Sequence, residues 1–449
     1  MNIPEKSPNW KEILQKNTKN IYELGLREDV SEIINKINTS YLYWDKLKYQ
    51  RFPEGIQPEE IWTYLKLTRN TQKKYTRIRD KENNRFWYWI PDIILRDLSI
   101  IDKKAGGEIT VNDPSITVSQ NKEKFLVNSI MEEAIASSQL EGAATTRKKA
   151  KAMLRSGIKP KTKAEQMIYN NYHTIMWLKE IKHETLTLEL IKEIQKRVTH
   201  DTLDNPDEAG RFQLPNEERV SIWYQDLQIY EPPKASEIES QVQQLCDFAN
   251  KNENENEFCH PIIEAIMLHF WLAYTHPFSD GNGRTARALF YWYMLKKDYW
   301  LFEYLSISRI VLKAPTQYIN AFMYTENDDL DLTYFITFNL RTIRLAIKDL
   351  QKYLYNQQKK LIEIKELDLF SSSLNLRQAG LIRHALEHPN NSYTIKQQQN
   401  IYKVVYQTAR TDLIMLETLG FLNRKKIGNK FSFFPVQDLY QKIAKITTQ

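Results

Sequence analysis

Apolar residues recur at intervals of three and four positions along most of the chain, which is the spacing of one face of an α-helix. The segment 219–230 is instead rich in strand-forming residues and ends at Pro232-Pro233, so it predicts a short β-hairpin. The predicted fold class is therefore mainly α. The clearest helical segments are 30–47, 59–75, 123–139, 164–182, 186–198, 261–274 and 288–295.

Two breaks in this helical pattern divide the chain. Gly and Pro cluster at 105–114, which predicts a loop and a domain boundary, and a serine run at 371–373 predicts a linker. The predicted division is a helical N-terminal region at 1–114, a central domain at 115–350, a helical linker at 351–373 and a C-terminal module at 374–449.

The C-terminal module has a pattern of its own. Helical segments at 376–387, 394–402 and 407–419 precede two strand-like runs around Gly428-Asn429, and this order predicts a winged helix-turn-helix. From Ser371 onwards the chain carries 11 Lys or Arg against 4 Asp or Glu, whereas the preceding residues balance to zero. Such an excess of positive charge is typical of a nucleic-acid-binding module.

Duplex DNA is therefore one candidate partner of the C-terminal module. The second helix of the helix-turn-helix would offer side chains to the major groove, and lysines of the hairpin would contact phosphates. The alternative is a module that docks to protein or dimerises, with a basic hairpin that is simply solvated; the sequence leaves both open. The candidate DNA-binding residues are Gln407, Arg410, Thr411, Lys425, Lys426 and Lys430.

Composition excludes several classes of protein. With 42% hydrophobic and 27% charged residues, the chain is neither disordered nor of low complexity. Its two cysteines, Cys246 and Cys259, are too few for a disulfide framework and indicate a reducing compartment. The first residues lack the apolar stretch of a signal peptide, and the run 265–279 is too short to cross a bilayer and predicts a buried core helix. We expect a cytoplasmic, soluble protein without a membrane partner.

The run His276-Pro-Phe-Ser-Asp-Gly-Asn-Gly-Arg-Thr-Ala-Arg287 lies between two apolar helical segments, so a glycine-containing turn leads into a helix N-terminus. Backbone N–H groups at such a terminus bind anions. Arg284 is three positions from Arg287, so the two can point to one side. Asp280 offers an oxygen ligand suited to Mg²⁺, and His276 offers a proton acceptor near neutral pH. Together these groups predict phosphate-ester chemistry on a nucleotide.

This run resembles, without a departure, the active-site motif of Fic-domain proteins, His-Pro-Phe-x-Asp-Gly-Asn-Gly-Arg-x-x-Arg. The segment 260–269 also resembles the helix that precedes the Fic loop. Gly210-Arg-Phe and the strand-rich segment 220–230 resemble the β-hairpin flap that docks the target backbone. The resemblance covers roughly residues 115–350 and implies an all-helical catalytic core with a small β-hairpin flap.

The resemblance implies transfer of AMP from ATP to a Tyr, Ser or Thr hydroxyl of a target protein. His276 would be the general base, and Asp280 would hold Mg²⁺ between the α- and β-phosphates. Six residues of the loop would form the nucleotide-binding set. An amide and two glycine N–H groups would contact phosphate oxygens, two arginines would bind the β- and γ-phosphates, and an aromatic side chain would anchor the loop. These residues are Phe278, Gly281, Asn282, Gly283, Arg284 and Arg287.

A second resemblance concerns regulation. Ser137-Ser-Gln-Leu-Glu-Gly142 is similar to the inhibitory motif Ser/Thr-x-x-x-Glu-Gly/Asn of Fic proteins. Ser137 and Glu141 are neighbours on one helix face, and Gly142 is well placed to end that helix. In the family this glutamate pairs with the second arginine of the loop, here Arg287, and blocks productive γ-phosphate binding. The resemblance thus implies an enzyme inhibited by its own N-terminal helix.

Two classes of function stay open at this point. The first is an autoinhibited AMP-transferase, which could also modify itself and could act as a homodimer. The second is a DNA-binding regulator whose Fic-like core senses nucleotide. The intact His276 favours the first, since a sensor needs no base. Removal of AMP, or transfer of another phosphate-containing group, also stays open because the loop does not specify the donor.

Overall fold

The computed structural model describes residues 3–106, 119–224, 227–251, 258–365, 374–427, 430–439 and 442. These residues form nineteen α-helices and three separate two-stranded antiparallel hairpins, so the fold is mainly α, as the sequence predicts. Within the described ranges, no helix combines the length and the apolar character that crossing a bilayer requires.

The N-terminal region is helical but also contains a hairpin that the sequence analysis did not predict. Its helices are α1 (Trp10–Lys16), α2 (Thr18–Leu24), α3 (Glu28–Ser40), α4 (Trp44–Leu47), α5 (Pro58–Asn70) and α6 (Asp92–Ala105), and its strands are β1 (Lys74–Arg79) and β2 (Arg85–Tyr88). The predicted helix 59–75 therefore ends at Asn70. The predicted helix 30–47 is divided by Tyr41, which has a left-handed backbone (φ 45°).

Long-range contacts accompany both differences. The Tyr41 hydroxyl donates to Asp331 Oδ2 at 2.7 Å, and the Trp87 backbone N–H donates to Leu330 O at 3.2 Å. A buried ionic cluster reinforces this junction: Lys66 pairs with Asp328 at 2.7 Å. The N-terminal region is thus packed against the segment that precedes the last helix of the central domain.

The central domain surrounds two almost fully buried helices. Its helices are α7 (Ser119–Leu140), α8 (Arg147–Ser156), α9 (Lys163–Glu180), α10 (Leu188–Thr199), α11 (Ile238–Ala249), α12 (Pro261–Thr275), α13 (Asn282–Lys296), α14 (Ile307–Lys313), α15 (Pro315–Asn327) and α16 (Thr333–Lys365), and its hairpin is β3 (Ile222–Tyr224) and β4 (Leu227–Tyr230). Helices α12 and α13 lie at the centre of the largest hydrophobic core. Helix α16 continues through the predicted boundary at 350–351.

The C-terminal module has its own small core. Helices α17 (Leu376–Glu387), α18 (Ile395–Tyr402) and α19 (Tyr406–Thr418) precede strands β5 (Leu422–Ile427) and β6 (Lys430–Pro435), which is the predicted order of elements. The predicted turn at 428–429 and the linker at 371–373 lie outside the described residues, as do residues 107–114 of the predicted loop at 105–114. Tyr393 exchanges two backbone hydrogen bonds of 2.8 Å with Phe433, which ties the hairpin to the helices.

Candidate active site

The predicted catalytic loop is a sharp turn between α12 and α13. His276 ends α12 with a left-handed backbone (φ 50°), and Gly281 has φ 84° immediately before α13 begins at Asn282. A Cβ at Gly281 would lie 2.5 Å from Thr199 Cγ2 at the end of α10. Glycine is therefore required there both for its backbone conformation and for the close approach of α10.

Internal hydrogen bonds hold the shape of this loop. The Asn282 side chain accepts from the Phe278 N–H at 2.9 Å and donates to the Phe278 carbonyl at 2.8 Å. Phe278 is fully buried, with its ring 5.3 Å from that of Phe212. Gln195 donates to the Asp280 carbonyl at 3.1 Å. The Asn282 amide thus fixes the loop itself, and its predicted contact with phosphates stays a prediction.

His276 lies beneath the base of the β3–β4 hairpin. Arg219, just before β3, donates to the carbonyls of Thr275 at 2.7 Å and His276 at 3.0 Å. Burial of the imidazole, together with the positive charge of Arg219, lowers the pKa of His276 to about 4; a backbone hydrogen bond to Val220 acts in the opposite direction. Nδ1 is buried without a hydrogen-bond partner among the described residues. The ring is therefore neutral at pH 7 and able to accept a proton.

Asp280 is the most exposed group of the loop. Arg284 donates to both of its carboxylate oxygens at 3.2 Å and to the carbonyl of Val198 at 2.8 Å. Among the described residues, no three His, Cys, Asp or Glu side chains converge on a metal position. A single carboxylate nevertheless fits Mg²⁺, which typically binds one or two protein carboxylates and completes its shell with substrate phosphates and water.

The second arginine of the loop binds the predicted inhibitory helix α7. Arg287 Nε donates to Ser137 Oγ at 2.8 Å, and its Nη2 donates to the Ser137 carbonyl at 3.0 Å and to Glu141 Oε1 at 2.8 Å. Helix α7 ends at Leu140, and Gly142 follows with φ 86°. The two loop arginines therefore bind different helices: Arg284 faces α10 and Arg287 faces α7. The spacing of three positions between the two arginines had suggested instead that both could point to one side.

The Glu141 carboxylate also covers the N-terminus of α13. A Cβ built at Gly283 would overlap Glu141 Oε1 and would lie 3.1 Å from Arg287 Nη1. The exposed N–H groups at a helix N-terminus attract anions. Glu141 thus lies over the anion-attracting end of this helix.

Comparison with known proteins identifies this part of the chain. Residues 185–294, which include the loop and its flanking helices, match the model of the Fic/DOC family. The chain contains a Fic domain.

Curated relatives are similar to about a quarter of this chain. Protein adenylyltransferase Fic of Nematostella vectensis is 36% identical over 108 residues, which is 24% of this chain and 22% of the relative. Protein adenylyltransferase fic-1 of Caenorhabditis elegans is 29% identical over 118 residues, which is 26% of this chain and 21% of the relative. The chain thus spans about a fifth of the length of the curated relatives it matches.

The crystal structure of a Fic family protein from Desulfovibrio desulfuricans G20 aligns with 76% of this chain and 94% of that chain at 17% identity, with a TM-score of 0.47.

Three residues around the Fic loop were missed by the sequence analysis. Arg219 and Gln195 hold the loop in place, and Tyr318 of α15 lies in the layer behind Arg287, where its hydroxyl is 2.9 Å from His269 Nε2. Burial and the charge of Arg287 lower the pKa of His269 to about 3, so His269 is neutral. Isolated polar residues carry no motif, so only the tertiary structure reveals them.

The candidate DNA-binding residues lie far along the chain from the Fic loop but share one feature. All of them are exposed, three on α19 and three on the β5–β6 hairpin: Gln407, Arg410, Thr411, Lys425, Lys426 and Lys430.

Proposed function

We propose that the protein is an adenylyltransferase that transfers AMP from ATP to a Tyr, Ser or Thr hydroxyl of a target protein. The observation that carries this proposal is the Fic loop. A neutral His276, the Asp280 carboxylate and the N-terminus of α13 all lie at the single turn that joins α12 to α13. The names of the curated relatives support the same reaction.

In the proposed reaction, the target hydroxyl oxygen attacks the α-phosphorus of ATP and the bond to the β-phosphate oxygen breaks, so pyrophosphate leaves. His276 accepts the hydroxyl proton. The β3–β4 hairpin, fixed to the loop by Arg219, would hold the target chain beside His276. Asp280 would hold Mg²⁺, which neutralises the charge that develops on the departing pyrophosphate. The backbone N–H groups of Gly281 and Gly283 would contact phosphate oxygens.

We further propose that the enzyme is autoinhibited by α7. The ion pair with Glu141 occupies the Arg287 guanidinium, which would otherwise bind the γ-phosphate. The same carboxylate repels phosphate from the N-terminus of α13. Ser137 holds the other side of Arg287, so two residues of α7 compete with the nucleotide for one arginine. AMP transfer therefore requires Glu141 to move away from Arg287.

Labelling with ATP that carries a radioactive α-phosphate tests this function. With Mg²⁺ present, we expect label on protein that rises in Glu141→Gly and disappears in His276→Ala. Thermal unfolding of both variants controls for loss of the fold. Absence of label from all three proteins would contradict AMP transfer. Release of AMP from a modified protein would then favour the opposite reaction, with Glu141 positioning water.

A second candidate function concerns the C-terminal module, which we propose binds duplex DNA. Its support is the joint exposure of Arg410 on α19 and of Lys425, Lys426 and Lys430 on the hairpin, in a module with an excess of positive charge. Such cations would contact phosphates, and Gln407 and Thr411 would face base edges.

Gel shift of duplex DNA by the full-length chain tests this second function. We expect binding that weakens steeply with salt, and a weaker salt dependence when Lys425 and Lys426 are both replaced by Ala. Lys36→Ala, which removes an exposed lysine of α3, is the matched control. Failure to bind even at low salt would instead favour protein docking.

A further inference from the structure

A cavity of about 380 Å³ lies between the C-terminal module and the helix pair α7–α8. We call it the interdomain cavity; its charged and polar lining includes Asn128 of α7, Lys148, Lys151 and Arg155 of α8, His384 of α17 and Gln397 of α18. Small-molecule sites in proteins occupy roughly 300–1,000 Å³. The interdomain cavity is therefore large enough for a small ligand, and it is separate from the Fic loop.

The charge of the interdomain cavity is positive. Lys148, Lys151 and Arg155 line it, and none of the described side chains that line it is a carboxylate. The carboxylate of Glu132 pairs with Lys151 but also with Arg147, so one carboxylate is shared between two cations. Helix α8 itself contains no acidic residue.

Keeping these cations in the cavity costs free energy. Burial lowers the pKa of Arg155 and also that of Lys151, in the latter case against the attraction of Glu132. Arg155 has a neutral partner, the Asn128 side chain at 2.8 Å. An anion between the α8 cations would offset this cost through charge-assisted hydrogen bonds, which are about twice as strong as neutral ones.

We propose that the interdomain cavity binds a phosphate-bearing small molecule and that its occupancy strengthens the inhibitory contact of α7. Phosphate oxygens would be held by the cations of α8, and the opposite wall would contribute donors from α17 and α18, such as Gln397. The concave shape and the small volume exclude a nucleic-acid duplex from this site.

The elements around the cavity connect it to the Fic loop. The C-terminal module already contacts the end of α8: Asn400 donates to the Arg155 carbonyl at 2.8 Å, and Gln397 donates to Ser156 Oγ at 3.3 Å. Asn128 and Glu141 are carried by the same chain segment, about 20 Å apart at a rise of about 1.5 Å per residue. A ligand that joins the module to α7 and α8 would hold α7 in place, and with it Glu141 on Arg287.

Calorimetric titration of the full-length protein with pyrophosphate tests the binding site. We expect Lys148→Ala and Arg155→Gln to weaken one class of binding at least tenfold. Lys149→Ala is the matched control, because Lys149 lies on the same helix but pairs with Glu165 at 2.7 Å. Lys148 is exposed, so its replacement leaves the fold intact even if that of Arg155 does not. Titration curves of Lys148→Ala that match the wild type would overturn the site.

Hydrogen exchange and AMP labelling test the coupling separately. Pyrophosphate is expected to slow backbone exchange in residues 126–141 of the wild type but not of Lys148→Ala, and equal protection in both would overturn the coupling. The effect on catalysis rests on the proposed function: inorganic phosphate should reduce AMP labelling more in the wild type than in Lys148→Ala. Equal reduction would also overturn the coupling. Absence of label from every protein would count against the proposed function only, since titration and exchange do not require transfer.

Discussion

The ion pair between Glu141 and Arg287 permits a graded test of autoinhibition. The bond is 2.8 Å long, and the two side chains are only 28% and 7% exposed, so solvent screens it weakly. A hydrogen bond to a charged group contributes about 1.5–3 kcal/mol, and a neutral one about 1 kcal/mol. Glu141→Gly removes the whole contact, whereas Glu141→Gln keeps a neutral acceptor.

The expected increases in AMP transfer follow from these values. A loss of about 2 kcal/mol from the inhibited state raises the initial rate of labelling about 30-fold for Glu141→Gly, since about 1.4 kcal/mol is a factor of ten. For Glu141→Gln the loss is about 1 kcal/mol, or about fivefold. Gly at 141 does not weaken α7, because that helix already ends at Leu140.

Initial rates of α-phosphate labelling at ATP concentrations well below saturation provide the assay, because saturating nucleotide would mask a contact that competes with it. Glu193→Gln is the matched control, because it removes another carboxylate bound to an arginine, Arg197 at 2.7 Å, on the surface of α10. We expect no change for this control. Rates for Glu141→Gly and Glu141→Gln that equal the wild-type rate, with His276→Ala inactive, would refute the inhibitory role of the ion pair.

Two further predictions follow from the geometry of the loop. Burial lowers the pKa of His276 to about 4, and the neutral form of the ring is the base. The rate of labelling by Glu141→Gly should therefore be nearly constant from pH 8 to 6 and should fall only below about pH 5. A fall in rate centred near pH 6.5 would contradict this assignment. Gly281→Ala should lower the free energy of unfolding in urea by more than Gly55→Ala does. Both glycines have φ 84°, so each substitution places alanine in a left-handed conformation at a cost of about 1–2 kcal/mol, but only Gly281 also lies against Thr199. Equal losses of unfolding free energy would show that the contact with Thr199 is unimportant.

The sequence predicted the loop well because each of its constraints is local. The turn at His276, the left-handed Gly281 and the start of α13 depend on residues within a few positions of one another. The contact of Arg287 with Glu141 spans 146 residues and was anticipated only through the resemblance to a known family, and its contact with Ser137 was not predicted.

The parts that the sequence did not predict depend on partners distant in the chain. Strand β1 has a polar sequence, Lys-Tyr-Thr-Arg-Ile-Arg, without strict alternation, and strand β2 is fixed by the pairing of Trp87 with the segment before α16. The contact of Arg284 with the Val198 carbonyl on α10 is another long-range contact that was not predicted, while its predicted contact with phosphate stays a prediction. No periodicity within one segment reports the position of another segment.

The buried cluster between the N-terminal region and α16 has a consequence for the cooperativity of unfolding. Lys66 of α5 pairs with Asp328 at 2.7 Å. The Tyr334 hydroxyl donates to the same carboxylate at 2.8 Å and accepts from Arg69 at 3.0 Å. Removing the N-terminal region would take away the cation of this carboxylate and the side chains that pack against it. A fragment without the first hundred residues would therefore lose contacts to Tyr334 in α16, the same element that packs against the catalytic helices.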